Sequence, residues 1–177
     1  MNKTAIIATA EQIFKQLTKT CRAVDEPVFF RRPPGKWSAA ENVQHLIIST
    51  NTTTLAYALP KFLVRWIGGT PNCSSRTYEA VKEKYYKKLS EGGRASARFV
   101  PKPIEIKYGK DRLLMNWQKA TEKFIRALQH NRTEEDLDQY LAKHPLLGRI
   151  TLRELCYFTI FHTEHHLLSI QKNRDSA

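Results

Sequence analysis

The chain lacks any apolar run approaching the roughly 20 residues that a membrane helix needs, so a soluble protein with no membrane partner is expected. Its three cysteines, Cys21, Cys73 and Cys156, are odd in number and show no Cys-x-x-Cys spacing, which argues against a disulfide framework and against a cysteine zinc site. Free thiols fit a reducing compartment, and Cys156, inside an apolar stretch, reads as a small buried core residue. The first residues carry one lysine and turn polar at Glu11 and Gln12, too early for a signal-peptide core, so the expected location is cytoplasmic. Internal repeats and low-complexity tracts are missing as well.

Acidic residues are few beside basic ones, giving a formal net charge of +12. The basic residues are scattered, with modest clusters at 82–88, Arg31-Arg32 and 102–112, and form neither a long run nor an Arg-rich helix. A nucleic-acid partner is therefore not expected, and the charge reads as a solvated face that attracts acidic small molecules weakly.

What is present is helical periodicity. A length of 177 residues suits a single domain spanning 1–177. Ile6, Ile7, Ala10, Ile13, Phe14 and Leu17 recur at three and four, predicting a helix over 4–23. Pro27 and Arg32-Pro33-Pro34-Gly35 then force an ordered turn. Ser38 with Glu41 forms a capping box that opens a second helix, running to about Leu59 before Pro60 interrupts it; 61–67 resumes it. After the break at 68–72 comes a short polar helix over 77–89, then a stretch over 90–109 with no helical period. Such a segment reads either as a cover over a site or as the crossover of a bundle. Residues 110–129 give another amphipathic helix, and 134–143 a short acidic one capped by Thr133. Thr151 and Glu154 form a second capping box, with Ile150 and Leu155 as its hydrophobic staple, and apolar residues continue to Ile170. Four long helices without convincing strands predict an all-α, up-down four-helix bundle with one long crossover in the middle and extra short helices.

Three histidines stand out against this frame. His162 and His166 lie four residues apart, about 400° of helical rotation, so their rings point the same way from neighbouring turns. Leu152, Leu155, Cys156, Thr159, His166 and Ile170 fall within about 60° of one direction, with His162 at the edge of that arc. His45 sits two turns into its capped helix, beside the apolar stripe. Three neutral imidazoles suit zinc, nickel, copper or iron and leave a position open. An ion there can lower the pKa of water to about 7 or activate a thiolate. A helical His-x-x-x-His pair is also what a hydrogen-bonded bundle rim would show, and spacing alone does not separate the two.

The segment Trp37-Ser38-Ala39-Ala40-Glu41-Asn42-Val43-Gln44-His45-Leu46 resembles the second-helix signature of the DinB-like, or YfiT-like, metalloenzyme superfamily: a Trp-Ser cap followed seven residues later by histidine and leucine. The start Thr151-Leu152-Arg153-Glu154-Leu155 and the run Phe161-His162-Thr163-Glu164-His165-His166-Leu167-Leu168-Ser169-Ile170 look like its final-helix signature. The resemblance covers nearly the whole chain and implies a four-helix bundle in which His45, His162 and His166 bind a divalent metal, zinc or nickel first and iron or manganese next. It leaves His165 as a neighbour that is not a ligand, although the spacing from His162 would admit it, and it places Ser169 where many relatives carry glutamine.

By the same likeness the expected activity is a metal-dependent thiol S-transferase acting on a small-molecule substrate, with a low-molecular-weight thiol of the bacillithiol type as cofactor. The competing expectations are a metal-dependent hydrolase using hydroxide on the ion, and a stress or damage-response binding protein without catalysis. Arg94, Arg98 and Lys102 in the long central segment are candidate carboxylate contacts or simply solvated charges. Glu41 belongs to its cap and Glu164 points about 160° from His166, so no general base is assigned. A homodimer is also implied by the resemblance, with Trp66, Tyr85 and Tyr86 as aromatics that an interface or a core would cover.

Overall fold

A computed structural model describes residues 1–175 and places four long helices in a bundle. These are α1 (Lys3–Arg22), α3 (Ala39–Ala58), α6 (Lys110–Asn131) and α8 (Leu152–Asp175); α1 and α3 each pack on both α6 and α8 and so occupy opposite corners. Short helices α2 (Glu26–Phe30), α4 (Lys61–Gly68), α5 (Tyr78–Ser90) and α7 (Asp136–Gln139) fill the connections. The fold class is the helical one expected. Among the described residues no helix is long and apolar enough to cross a membrane.

Hydrogen bonds at the helix ends give the direction of each helix. Lys3 at the start of α1 reaches the carbonyls of Gln129 and Arg132 at the end of α6, while Lys110 at the start of α6 reaches Arg22 and Val24; α1 and α6 are antiparallel. Tyr57 near the end of α3 donates to the Leu152 carbonyl, and Asn173 near the end of α8 donates to the Trp37 carbonyl before α3, so α3 and α8 are also antiparallel. Arg132, just after α6, donates to the carbonyls of Ala56 and Leu59 at 3.1 and 2.6 Å and satisfies the open end of α3. The ends of α3 and α6 therefore coincide, and the two helices run in the same direction. Parallel neighbours cannot be joined by a tight turn, which accounts for the long central crossover. Its 90–109 part holds two 3-10 turns, Ala97–Phe99 and Ile106–Tyr108.

The core forms where the four apolar stripes meet. Trp117 and Phe124 of α6 meet Phe14 of α1 edge to face, at 5.3 and 6.0 Å between centroids, and Tyr57 of α3 meets Phe124 at 5.4 Å. Trp66 at 83% and Phe62 at 71% exposure stay outside it, whereas Tyr85 is buried inside the monomer.

Two local expectations are corrected. The acidic helix over 134–143 is only α7: Thr133 and Asp136 exchange backbone and side-chain bonds at its start, but Tyr140 is already extended. The chain then forms an antiparallel hairpin, β1 (Leu141–His144) with β2 (Gly148–Thr151). Gly148 supplies the positive φ of its turn, and His144 Nδ1 accepts from the amides of Leu146 and Leu147. The strands escape a periodicity search because each has four residues and only Ile150 and Thr151 are β-branched. The second correction is α2, formed where only a turn is expected; Pro27 sits in its first turn, where a missing amide proton costs nothing.

The hairpin is locked against α4 at Gly68, where an added Cβ would lie 1.8 Å from the Leu141 carbonyl oxygen. Gly68→Ala should lower stability by about 2 kcal/mol or more, since backbone must move to admit the methyl group. Chemical unfolding followed by circular dichroism checks this, and an unchanged midpoint would contradict the contact.

Candidate metal centre

The start of α3 sets the site. Ser38 Oγ accepts from the Glu41 amide at 3.1 Å and Glu41 Oε2 accepts from the Ser38 amide at 2.7 Å, the reciprocal box read from the sequence. One turn in, Asn42 Nδ2 donates to the Ser38 carbonyl at 2.8 Å and the Trp37 carbonyl at 3.3 Å. Both amide protons are thereby used, so Asn42 Oδ1 is the atom that faces α8, where it lies 2.6 Å from His166 Nδ1 and accepts its proton. His166 Nε2 is left with a free lone pair.

His45 reaches the same state through a different partner. Its Nδ1 donates to the Phe99 carbonyl at 2.7 Å, so the 3-10 turn of the crossover fixes the ring and frees Nε2. His162 Nε2 lies 3.1 Å from both His45 Nε2 and His166 Nε2. A tetrahedral ion with bonds of 2.0 to 2.1 Å would separate its ligand nitrogens by about 3.3 Å, close to both 3.1 Å separations, and all three ligand atoms lie within 4.8 Å of one another. All three side chains are buried. Burial pulls each of them below the ordinary histidine range, with the neighbouring histidines adding to the effect at His162 and His166, so the rings are neutral and able to act as ligands.

Aromatic rings hold the histidines in place. Trp37 stacks on His166, with 9° between planes, and lies 5.0 Å from His45; Phe158 stacks on His162 at 4.6 Å. His165 is half-buried, points its ring toward Tyr86 and stays outside the convergent set. Glu41 is held in its cap, and Glu164 pairs with Lys82 at 2.7 Å. Neither faces the triad as a base.

The triad opens on a cavity of about 520 Å³, between the second half of α3, α4, the hairpin, α5 and the crossover. Arg94 and Arg98 stand exposed at its rim, while Lys102 does not line it. The cavity has no aspartate or glutamate in its lining among the described residues. The crossover is thus both of the things its sequence suggested, a connection between distant helices and a cover for the site.

Sequence reasoning did not single out Asn42, Phe99, Phe158 or His144. Asn42 was within reach, lying three residues before His45 in the same capped turn. The carbonyl of Phe99 carries no side-chain signal, and His144 sits in a strand that had not been seen.

Two outcomes test this geometry. Asn42→Ala should weaken metal binding about 10- to 100-fold in a chelator competition while the protein stays folded, because the His166 ring loses the partner that orients it. In the metal-free protein the unfolded chain, with histidines near pKa 6.5, binds more protons than the folded one, whose His45, His162 and His166 are depressed and whose His144 is pushed down to about 4. Stability is therefore complete above pH 6.5 and declines as pH falls from there toward 4; urea midpoints at pH 7.5, 6 and 5 should drop in that order, and a flat series would contradict neutral buried rings.

A search of curated proteins and of solved structures returned no match. A family model described as the DinB superfamily matches residues 8–170, which spans the bundle and all three histidines. On that match the chain belongs to the DinB superfamily.

Proposed function

We propose that His45, His162 and His166 hold one divalent metal ion through their Nε2 atoms, and that the protein is a metal-dependent thiol S-transferase. The observation that carries the reading is the convergence of three buried imidazole nitrogens, two of them 3.1 Å from His162 Nε2, with the Nδ1 atoms of His45 and His166 engaged as donors. An ion bound there supplies Lewis acidity that holds a thiol as its thiolate at neutral pH. Zinc and nickel suit three neutral nitrogens best, with iron and manganese behind them.

The chain's own residues supply the rest. Asn42 and the Phe99 carbonyl orient two rings, Trp37 and Phe158 wall the triad, and the 95–99 segment shields it from bulk water. Thiol transfer is favoured over hydrolysis by the charge of the cavity lining, whose charged side chains among the described residues, Arg94, Arg98 and Lys143, are all positive and suit an anionic thiol. With a chloroarene, the new S–C bond replaces the C–Cl bond, and chloride and the thiol proton are released.

Purified protein reconstituted separately with zinc, nickel, iron and manganese should retain about one ion per chain by elemental analysis, and His162→Ala should lose it. The reconstituted protein should conjugate glutathione or bacillithiol to a chlorodinitroarene, with the rate lost in His162→Ala. Activity with water and none with any thiol would establish the hydrolase instead, and absence of bound metal under all four conditions would overturn the site.

A further inference from the structure

The cavity holds polar groups that the metal reading does not use. Tyr85 is 6% exposed, and its ring packs 5.5 Å from Phe158 and 6.1 Å from His162, yet its hydroxyl has no hydrogen-bond partner among the described residues. The hydroxyl is not enclosed by protein, and because Tyr85 lines the cavity, that space is where a partner can reach it. Ser49, one turn beyond His45 on α3 and 8% exposed, also lines the cavity with an unpartnered hydroxyl.

His144 adds a third such group, on the hairpin. Its Nδ1 accepts two backbone amides, from Leu146 at 3.2 Å and Leu147 at 3.1 Å, so the ring proton resides on Nε2. That N–H has no partner among the described residues, and the ring lies 4.2 Å from Phe158. Tyr85, His144 and His162 thus surround one phenyl ring, so the two rings that carry unused donors pack against the same Phe158 that stacks on His162.

The remaining lining has one character. Leu55, Leu59, Val64, Ile67 and Leu155 give apolar walls; Arg94, Arg98 and Lys143 are the charged side chains, and all three are positive. A tyrosine hydroxyl is protonated at neutral pH and a neutral imidazole N–H can only donate, so the occupant must bring the acceptors. An ammonium head would meet donors and cations and, among the described residues of the lining, no carboxylate. A carboxylate would meet hydrogen-bond donors near the triad and hydrocarbon beyond.

We propose that the cavity over the triad binds an amphipathic carboxylate, whose oxygens accept from the Tyr85 hydroxyl and the His144 Nε2–H and whose aliphatic body lies along the apolar wall. This rests on the metal reading for the role of the triad, and it names the class of small molecule that shares the site.

Octanoate is the probe, titrated calorimetrically into zinc-reconstituted protein whose metal content has been measured, with octylammonium as the matched cation. Octanoate should bind saturably at one site and octylammonium should not. Tyr85→Phe keeps the ring and should keep the zinc, yet weaken octanoate about tenfold or more, the usual effect of removing a hydrogen bond to a charged group; Ser49→Ala, which leaves both named donors in place, should weaken it less. No saturable octanoate binding to zinc-loaded protein, equal binding of octylammonium, or an unchanged affinity in folded Tyr85→Phe would each overturn the proposal. Lack of zinc in the sample would overturn the metal reading alone, and Tyr85-dependent octanoate binding by that same protein would still support the carboxylate site.

Discussion

An imidazole offers one lone pair at a time, and the nitrogen that offers it is decided by what the other nitrogen holds. In this protein two such decisions are made far from the point where the three rings meet. At His166 the decision begins with a helix cap: Ser38 and Glu41 fix the first turn of α3, that turn presents the carbonyls of Trp37 and Ser38 to Asn42 Nδ2, and only Asn42 Oδ1 is left for the His166 proton. At His45 it is a backbone carbonyl of the crossover, Phe99. Each bond sends a proton away from the centre, and two of the three rings turn a lone pair toward His162 Nε2 as a consequence.

The topology supplies the second requirement. Because α3 runs against α8, the start of one lies beside the later turns of the other, which brings His45 and Asn42 to His162 and His166 across more than a hundred residues of sequence. Because α3 runs with α6, the chain must travel the length of the bundle between them, and the segment that does so passes over His45. A bundle of four helices joined only by tight turns would have no such cover. At the far end Arg132 bonds the last carbonyls of α3, and the hairpin wedged against Gly68 forms, with α4, the distal wall of the cavity that runs from the triad along the second half of α3.

Much of this was legible in the sequence, for a physical reason: caps and amphipathic stripes are local, and the site's histidines ride on the best-capped helices in the chain. Ser38 with Glu41 and Thr151 with Glu154 form the boxes their spacing predicts, and both histidine-bearing helices begin where those boxes say. What was not legible depends on backbone atoms or on distant pairing. The Phe99 carbonyl has no side-chain identity to read, and β1 and β2 are too short for alternation to show. His144 illustrates the loss: alone in sequence it is one histidine before a proline, and only the turn bonds of the hairpin assign its proton and aim.

Burying three imidazoles together disfavours the folded state, since each ring gives up water and a single proton, on His162 Nε2, is all that the metal-free rings have to share across the two 3.1 Å contacts. The aromatic core built from Phe14, Trp117, Phe124 and Tyr57 can offset that cost because it lies in the bundle interior and does not depend on the site being filled. The site's charge follows the same division. On the proposed reading the ligands are neutral and the described residues put no carboxylate in the cavity lining, so they leave the positive charge of the ion uncompensated in a poorly solvated space. Compensation then has to come from the occupant. Selection of an anion, thiolate or carboxylate, is thereby built into the ligand set, and the apolar walls decide what the rest of that anion is made of.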